Sequence, residues 1–153
     1  MQIRNFKKSD IPSLLNLIKF MVEYHLKIDR YYRPYAEYKN LEEEMDSWLK
    51  DKDTRVLIAE KSGKLIGYLQ IAVESAPTYV SAKKIGIIYN LLVVEKYRRR
   101  GVAGQLMSEG LKWLEIKKVK NVELSVDARN KDAIQFWKKL GFFEYKFRMR
   151  LDL

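Results

Sequence analysis

Apolar residues at Ile11, Leu14, Leu15, Ile18, Val22 and Leu26 return every three or four positions, the spacing of one buried helical face. Ser9 and Asp10 are N-cap types and Pro12 falls in the turn that follows, so the pattern predicts a helix from Ile11 to about Leu26. Leu41, Met45, Trp48 and Leu49 form a second stripe, with Glu42, Glu43 and Glu44 where the positive end of a helix dipole favours acid. Between the two lies Tyr31–Tyr38, aromatic and broken by Pro34, which reads as a loop. Elsewhere the period is two, or the apolar run is continuous. Met1–Phe6 alternates as a strand. Arg55–Glu60 and Leu65–Val73 are apolar runs joined by Lys61-Ser62-Gly63-Lys64, a hairpin signal. A loop around Pro77 leads into the long apolar strand Ile85–Val94. A third helix spans Gly101 to Lys118 on Val102, Leu106, Met107, Leu111 and Leu114. Val122–Val126 is a strand, and Lys131–Leu140 is a helix ended by Gly141 at the left-handed C-cap position. Phe143, Tyr145, Phe147, Met149 and Leu151 alternate through Phe142–Leu151, which predicts a closing strand.

The resulting order, β-α-α-β-β-β-α-β-α-β, is that of an α/β chain with a mixed sheet. Ile85–Val94, the third helix and Val122–Val126 make one right-handed βαβ unit with parallel strands.

A length of 153 residues fits one domain, residues 1–153, without linker or repeat. Hydrophobic residues make up 47% and charged residues 33%, a balance that excludes disorder and a membrane span; no apolar run is long enough for one. The N-terminus enters a strand directly, so no signal peptide is expected and the expected location is cytoplasmic. Cysteine is absent, which removes disulfides, thiolate metal sites and a covalent cysteine intermediate. No metal is expected. The formal charge of +10 suits nucleic acid, an anionic surface or a polyphosphate.

Chemistry concentrates where the long strand meets the third helix, at Glu95-Lys96-Tyr97-Arg98-Arg99-Arg100-Gly101-Val102-Ala103-Gly104. A helix start leaves amides unpaired and carries the positive dipole end. Gly101, Ala103 and Gly104 let a phosphate come close to those amides, and three arginines add charge at the rim. The loop has neither the Lys-Ser/Thr of a Walker A motif nor the three spaced glycines of a dinucleotide fingerprint. A polyphosphate cradle and a tight turn with a solvated basic face both fit these residues.

Arg98-Arg99-Arg100-Gly101-Val102-Ala103 resembles the Gln/Arg-x-x-Gly-x-Gly/Ala motif of the GNAT superfamily of N-acetyltransferases. Asn130-Lys131-Asp132-Ala133-Ile134-Gln135-Phe136-Trp137, running on to Gly141-Phe142, is similar to that family's second signature. Val56–Val73 resembles its hairpin, so the likeness covers nearly the whole chain. It implies a single GNAT-like α/β domain: a mixed, mostly antiparallel twisted sheet flanked by about four helices, with one parallel βαβ pair splayed to bind acetyl-CoA. It further implies that the pyrophosphate rests on Arg98, Arg99, Arg100, Gly101, Val102, Ala103 and Gly104. The pantetheine arm would pair with the backbone of Leu92, Val93 and Val94; Asn130 would touch the arm, and Phe136 and Trp137 would wall it. The implied activity is direct transfer of acetyl from acetyl-CoA to a primary amine, without a covalent enzyme intermediate.

Transfer needs a donor near Val93 to polarise the thioester and a group that deprotonates the amine, whose pKa is about 8 to 10. Tyr89, midway along the strand, is the candidate for orienting a deprotonating water; Glu74, Glu123 and His25 are alternatives. Many relatives carry a tyrosine acid where this chain has Trp137, whose indole is too weak an acid, which leaves Tyr97, Tyr145 or water for that proton. The tyrosines of Tyr31–Tyr38 fall where the family builds its acceptor pocket, and the acceptor itself stays open among protein, peptide and small-molecule amines. Two other classes remain: a coenzyme A-binding protein without turnover, and a basic nucleic-acid module, which the spread of the basic residues disfavours. The resemblance also implies a homodimer through the last strand, and no membrane partner is expected.

Overall fold

The computed structural model describes residues Met1–Leu153. Strands β1 (Gln2–Asn5), β2 (Thr54–Lys61), β3 (Lys64–Ser75), β4 (Lys84–Val93) and β5 (Val122–Leu124) form one sheet in that spatial order. The helices are α1 (Ile11–Ile28), α2 (Leu41–Lys50), α3 (Val102–Ile116) and α4 (Lys131–Lys139). The pairings are antiparallel from β1 to β4, and β4 pairs parallel with β5, as the βαβ pattern requires. No helix is long and apolar enough to cross a membrane.

The two central strands are apolar almost without break because both faces of the sheet are covered. Leu57, Ala59, Leu69 and Ile71 join Leu106, Met107 and Leu114 of α3 in one core. Val56, Ile58 and Tyr68 join Leu14, Ile18 and Val22 of α1 and Met45 of α2 in the other. The entry to α1 is pinned to the sheet through Arg4, which reaches buried Asp10 at 2.6 and 2.8 Å and Glu60 at 2.7 Å.

One irregularity positions everything that follows. Gln70 faces Asn90 and Ile71 faces Ile88, so Tyr89 is an extra residue, a β-bulge in β4. Before the bulge, Ile88 packs in the α3 core; beyond it, Leu91 and Val93 point to α3 and Leu92 to α1. Parallel pairing with β5 covers Gly86, Ile87 and Ile88 and stops there. Strand β5 therefore ends at Leu124 rather than at the expected Val126, because the bulged strand no longer runs beside it.

The expected closing strand Phe142–Leu151 does not form. Residues 143–153 have no regular structure, and no backbone hydrogen bond outside the helices and strands involves them. The segment is held by side chains: Lys138 to Glu144 at 2.7 Å, Tyr145 against Glu123, and Arg150 to Asp29 at 3.1 Å. An alternating pattern specifies which side chains share a face, but a strand also needs a free edge within hydrogen-bonding distance. Here a groove separates the segment from β5.

Candidate active site

Beyond Ile88 the edge of β4 toward β5 is open. The phase of its backbone follows from one bond: the Val94 amide donates to the Ile66 carbonyl at 2.9 Å. By alternation Leu92 and Asn90 also face β3, so Leu91 and Val93 turn their N–H and C=O groups to the open side. Of the three residues expected to present backbone there, Val93 does so, whereas the amides of Leu92 and Val94 point the other way. Leu91 takes their place. Sequence alone could not supply this phase, because the bulge at Tyr89 resets it. The Val93 carbonyl is already occupied by Arg98 Nε at 3.0 Å, which leaves the N–H groups of Val93 and Leu91.

After β4 the chain makes a short 3-10 turn, Glu95–Tyr97, with the Tyr97 ring beneath Lys61 Nζ at 5.8 Å and Lys96 Nζ at 5.1 Å. Arg99 (φ 59°) and Gly101 (φ 78°) then adopt left-handed backbone, turning the chain into α3. The first helical bond at this end runs from the Gln105 amide to the Gly101 carbonyl at 3.0 Å. The amides of Arg99, Arg100, Gly101, Val102, Ala103 and Gly104 thus have no protein acceptor, and no side chain caps the helix. A Cβ added at Gly101 or Gly104 would meet nothing within 4 Å. Six free donors, open space at the glycines and three exposed arginines fit a pyrophosphate by charge, by shape and by donor count.

Close packing fixes the strand that leads there. At Gly67, opposite Val93, a Cβ would lie 2.7 Å from the Leu92 carbonyl oxygen, so only glycine lets β3 approach the end of β4 this closely.

Asn130 is the N-cap of α4, its side-chain oxygen accepting the Ala133 amide at 3.1 Å. Its nitrogen remains free of protein partners. Phe136 and Trp137 pack edge to face at 5.0 Å, Trp137 meets Phe142 at 5.4 Å, and both lie half-buried on the α3 core. The proton-transfer candidates are distributed unevenly. Tyr89, 52% exposed on the bulge, hydrogen-bonds Glu74, so two residues proposed separately are joined. Glu123 and Tyr145 sit together in the groove outside β5, where Glu123 pushes the phenol pKa up to about 12. That shift makes Tyr145 a poor acid at neutral pH.

Past the end of β5, four elements converge on a charged rim. Arg129 reaches Asp127 at 2.7 Å and Asp29 at 3.0 Å, while Arg150 binds Asp29 at 3.1 Å and lies 4.4 Å over the Tyr31 ring. Asp127 is held far below the carboxylate range, chiefly by the hydrogen bond from the Arg129 side chain. His25, 5.1 Å from the Tyr32 ring, has a buried Nδ1 without a partner, and its burial lowers its pKa against the opposing pull of Asp127. Asp29, Asp127, Arg129 and Arg150 were not among the sequence candidates. Only the chain's path brings residues 100 and more positions apart into one cluster.

A mixed sheet whose parallel strands part beside a helix start with free amides defines a protein with a slot for an extended ligand that ends in phosphate. The chain belongs to the acetyltransferase (GNAT) family, whose model matches residues 21–142. It is 33% identical over 106 residues to an N-alpha-acetyltransferase of Sulfurisphaera tokodaii, an alignment that covers 64% of this chain and 62% of that protein. It is 28% identical over 146 residues to the uncharacterized N-acetyltransferase YhfO of Bacillus subtilis, covering 94% of this chain and 91% of that one. The fold matches a crystal structure of a mutant form of the BH1408 protein from Bacillus halodurans, with TM-score 0.90 at 23% identity over 100% and 99% of the two chains.

Proposed function

We infer that this protein is an acetyl-CoA-dependent N-acetyltransferase that transfers acetyl directly to a primary amine. The observation that carries the inference is the run of six unpaired amides, Arg99 to Gly104, continuous with the open edge of β4. The amides and the three arginines hold the pyrophosphate, and the N–H groups of Leu91 and Val93 lie along the slot in which the acyl arm extends. The amine nitrogen attacks the thioester carbonyl, the carbon–sulfur bond breaks, and the coenzyme A thiolate leaves and takes up a proton. A Val93 N–H facing the slot is placed to stabilise the negative charge that develops on the carbonyl oxygen. The amine sheds its proton through water toward Tyr89 and its partner Glu74.

The acceptor enters over the rim of Asp29, Asp127, Tyr31 and Arg150. Acceptors of the α-amine class are favoured, in keeping with the name of the Sulfurisphaera relative. Two carboxylates there attract a protonated amine, and two arginines pair with a carboxylate or peptide carbonyl beside it. Residues 1–153 act as one domain, in the cytoplasm, as a homodimer.

The test is a thermal shift with acetyl-CoA and with coenzyme A, followed by thiol release on a panel of free amino acids, peptides with free α-amines and diamines. Stabilisation by both ligands and turnover with α-amines are expected. No shift at millimolar ligand would overturn the cofactor assignment; binding without turnover on any amine would leave a coenzyme A-binding protein.

A further inference from the structure

Under the second half of α1 the face of the sheet turns from apolar to polar. Tyr68 of β3 and Leu92 of β4 are buried in the α1 core. By alternation Gln70 and Glu74 follow Tyr68 on that face, and Asn90 follows Leu92. Tyr89, next to Ile88 of the α3 core, joins them, because the bulge puts two successive side chains on one face. The side chains agree: Asn90 Nδ2 donates to Gln70 Oε1 at 2.7 Å, and Tyr89 hydrogen-bonds Glu74.

The helix above changes character at the same level. It starts beside β1, where Arg4 binds Asp10, and ends beyond β5, where Arg129 meets the Ile28 carbonyl. Midway, the Met21 sulfur accepts the Tyr68 hydroxyl at 3.7 Å. The buried apolar positions of α1 stop at Val22. One and two turns past Met21 come His25, whose Nδ1 is buried without a partner, and Asp29 of the rim. Polar groups of the sheet and of the helix thus meet on the way from the rim to the slot.

Gln70 is the oddest of them. Among carboxamide and charged side chains, only those of Asp10 and Gln70 belong to buried residues. Asp10 is saturated by Arg4 and the Lys7 amide. Gln70, 6% exposed, makes the single bond to Asn90. Its Nε2 group has no protein acceptor and Asn90 Oδ1 has no protein donor, yet neither atom is sealed off from outside. Burying a carboxamide is unfavourable unless its remaining groups are met by something else. The bond also fixes which way Asn90 points: with Nδ2 committed to Gln70, the oxygen is the free atom. Asn90 directly precedes Leu91, whose N–H faces the slot.

We propose that Asn90 is a catalytic residue whose Oδ1 accepts one N–H of the attacking amine, and that Gln70 is the positioning residue that holds it there. This rests on the acetyl-transfer reading above. A primary amine has two N–H bonds. Its lone pair forms the bond to the thioester carbon, the carbon–sulfur bond breaks, and the thiolate takes up a proton. One amine proton leaves through water toward Tyr89 and Glu74; the other stays in the product amide, and Asn90 binds that one. The bond strengthens as the nitrogen becomes positive, so it favours the transition state over the bound substrate. A carboxamide oxygen accepts a hydrogen bond without removing the proton, so the two pairs on this face divide the work. A substrate class follows. A secondary amine has one N–H and cannot both bond Asn90 and shed its proton, so the site selects primary amines.

The experiment follows thiol release with a primary α-amine and its N-methyl counterpart, alongside melting and the coenzyme A thermal shift. In the wild type the N-methyl acceptor is expected to lose roughly 10-fold or more in kcat/KM, the size of one charge-assisted hydrogen bond. Asn90→Leu should lower kcat on the primary amine by roughly 10- to 100-fold with little change in KM, and should narrow the preference. Asn90→Asp keeps an accepting oxygen and should keep the preference. Gln70→Leu frees the Asn90 amide to turn and should weaken the preference in part. In the Gln70→Leu, Asn90→Leu variant both polar partners are gone, so stability holds or rises and the coenzyme A shift remains while the preference is lost. A wild type that turns over both acceptors equally overturns the proposal, whatever the variants do. So does an Asn90→Leu or double variant with the wild-type preference, or one that loses the coenzyme A shift with its rate. A Gln70→Leu variant indistinguishable from wild type overturns the positioning role. A wild type without turnover on any amine strikes the transferase reading, and this proposal with it.

Discussion

The two ends of the slot beside β4 are made of different materials. At the α3 end the contacts come from backbone: six amides, two glycines with open space and a strand held in place by Gly67. At the far end, the rim we propose for the acceptor is built of side chains from the turn after α1, the loop after β5 and the C-terminal segment, tied by Arg129 and Arg150. Backbone donors are fixed by the helix and the strand that carry them, and they suit one ligand group common to every reaction of this kind. A rim of side chains from separate elements can be changed without disturbing the fold, and specificity resides in such places.

The sharpest way to break this contrast is Gly104→Glu. The site is helical with free space, so the apo protein keeps its fold, but a carboxylate enters the cradle. Like charges about 5 Å apart at an effective dielectric of about 20 repel by about 3 kcal/mol. Coenzyme A affinity should fall by about 100-fold, measured by calorimetry; an unchanged Kd would remove the amides from the site.

Gly67→Ala probes the strand instead. Its Cβ would press on the Leu92 carbonyl, and backbone cannot rotate away as a side chain can. A stability loss of about 2 kcal/mol in urea unfolding is expected, with weaker coenzyme A binding because β4 shifts. If stability drops but the ligand binds as before, the end of β4 is not part of the slot.

Arg129→Ala acts on the rim. It should raise KM for the acceptor by roughly three- to tenfold while leaving the Kd for coenzyme A as it was. Equal effects on both ligands would dissolve the distinction between the two ends.

The smallest effect concerns pH. Burial lowers the His25 pKa, so between the folded value and the unfolded value of about 6.5 the unfolded chain binds more protons. Stability from this group is present above the unfolded pKa and is lost as pH falls below it. Melting temperature should drop by a few degrees at most between about pH 7 and pH 5, and His25→Gln should flatten that slope. Asp127, held low by Arg129, adds its loss at more acid pH, below the usual carboxylate value near 4.

Several features were legible from the residues because they depend on local order. Helical periods, apolar runs and turn signals located the five strands and four α-helices within a few residues, and the Arg98–Gly104 segment marked a strand-to-helix turn whose residues fitted an anion cradle as well as a solvated basic face. Two neighbouring signatures, at Arg98–Ala103 and Asn130–Phe142, were enough to name the family. What needed tertiary structure was everything set by partners. Which amides of β4 are free depends on the bulge at Tyr89, a mismatch between two strands that neither shows by itself. The pairing of Tyr89 with Glu74 and the rim of Asp29, Asp127, Arg129 and Arg150 exist only because the fold brings distant positions together. The last segment makes the same point from the other side. Its alternation determined which side chains share a face, but whether that face finds a strand edge is decided by the space around β5, because backbone hydrogen bonds are made between strands and not within one.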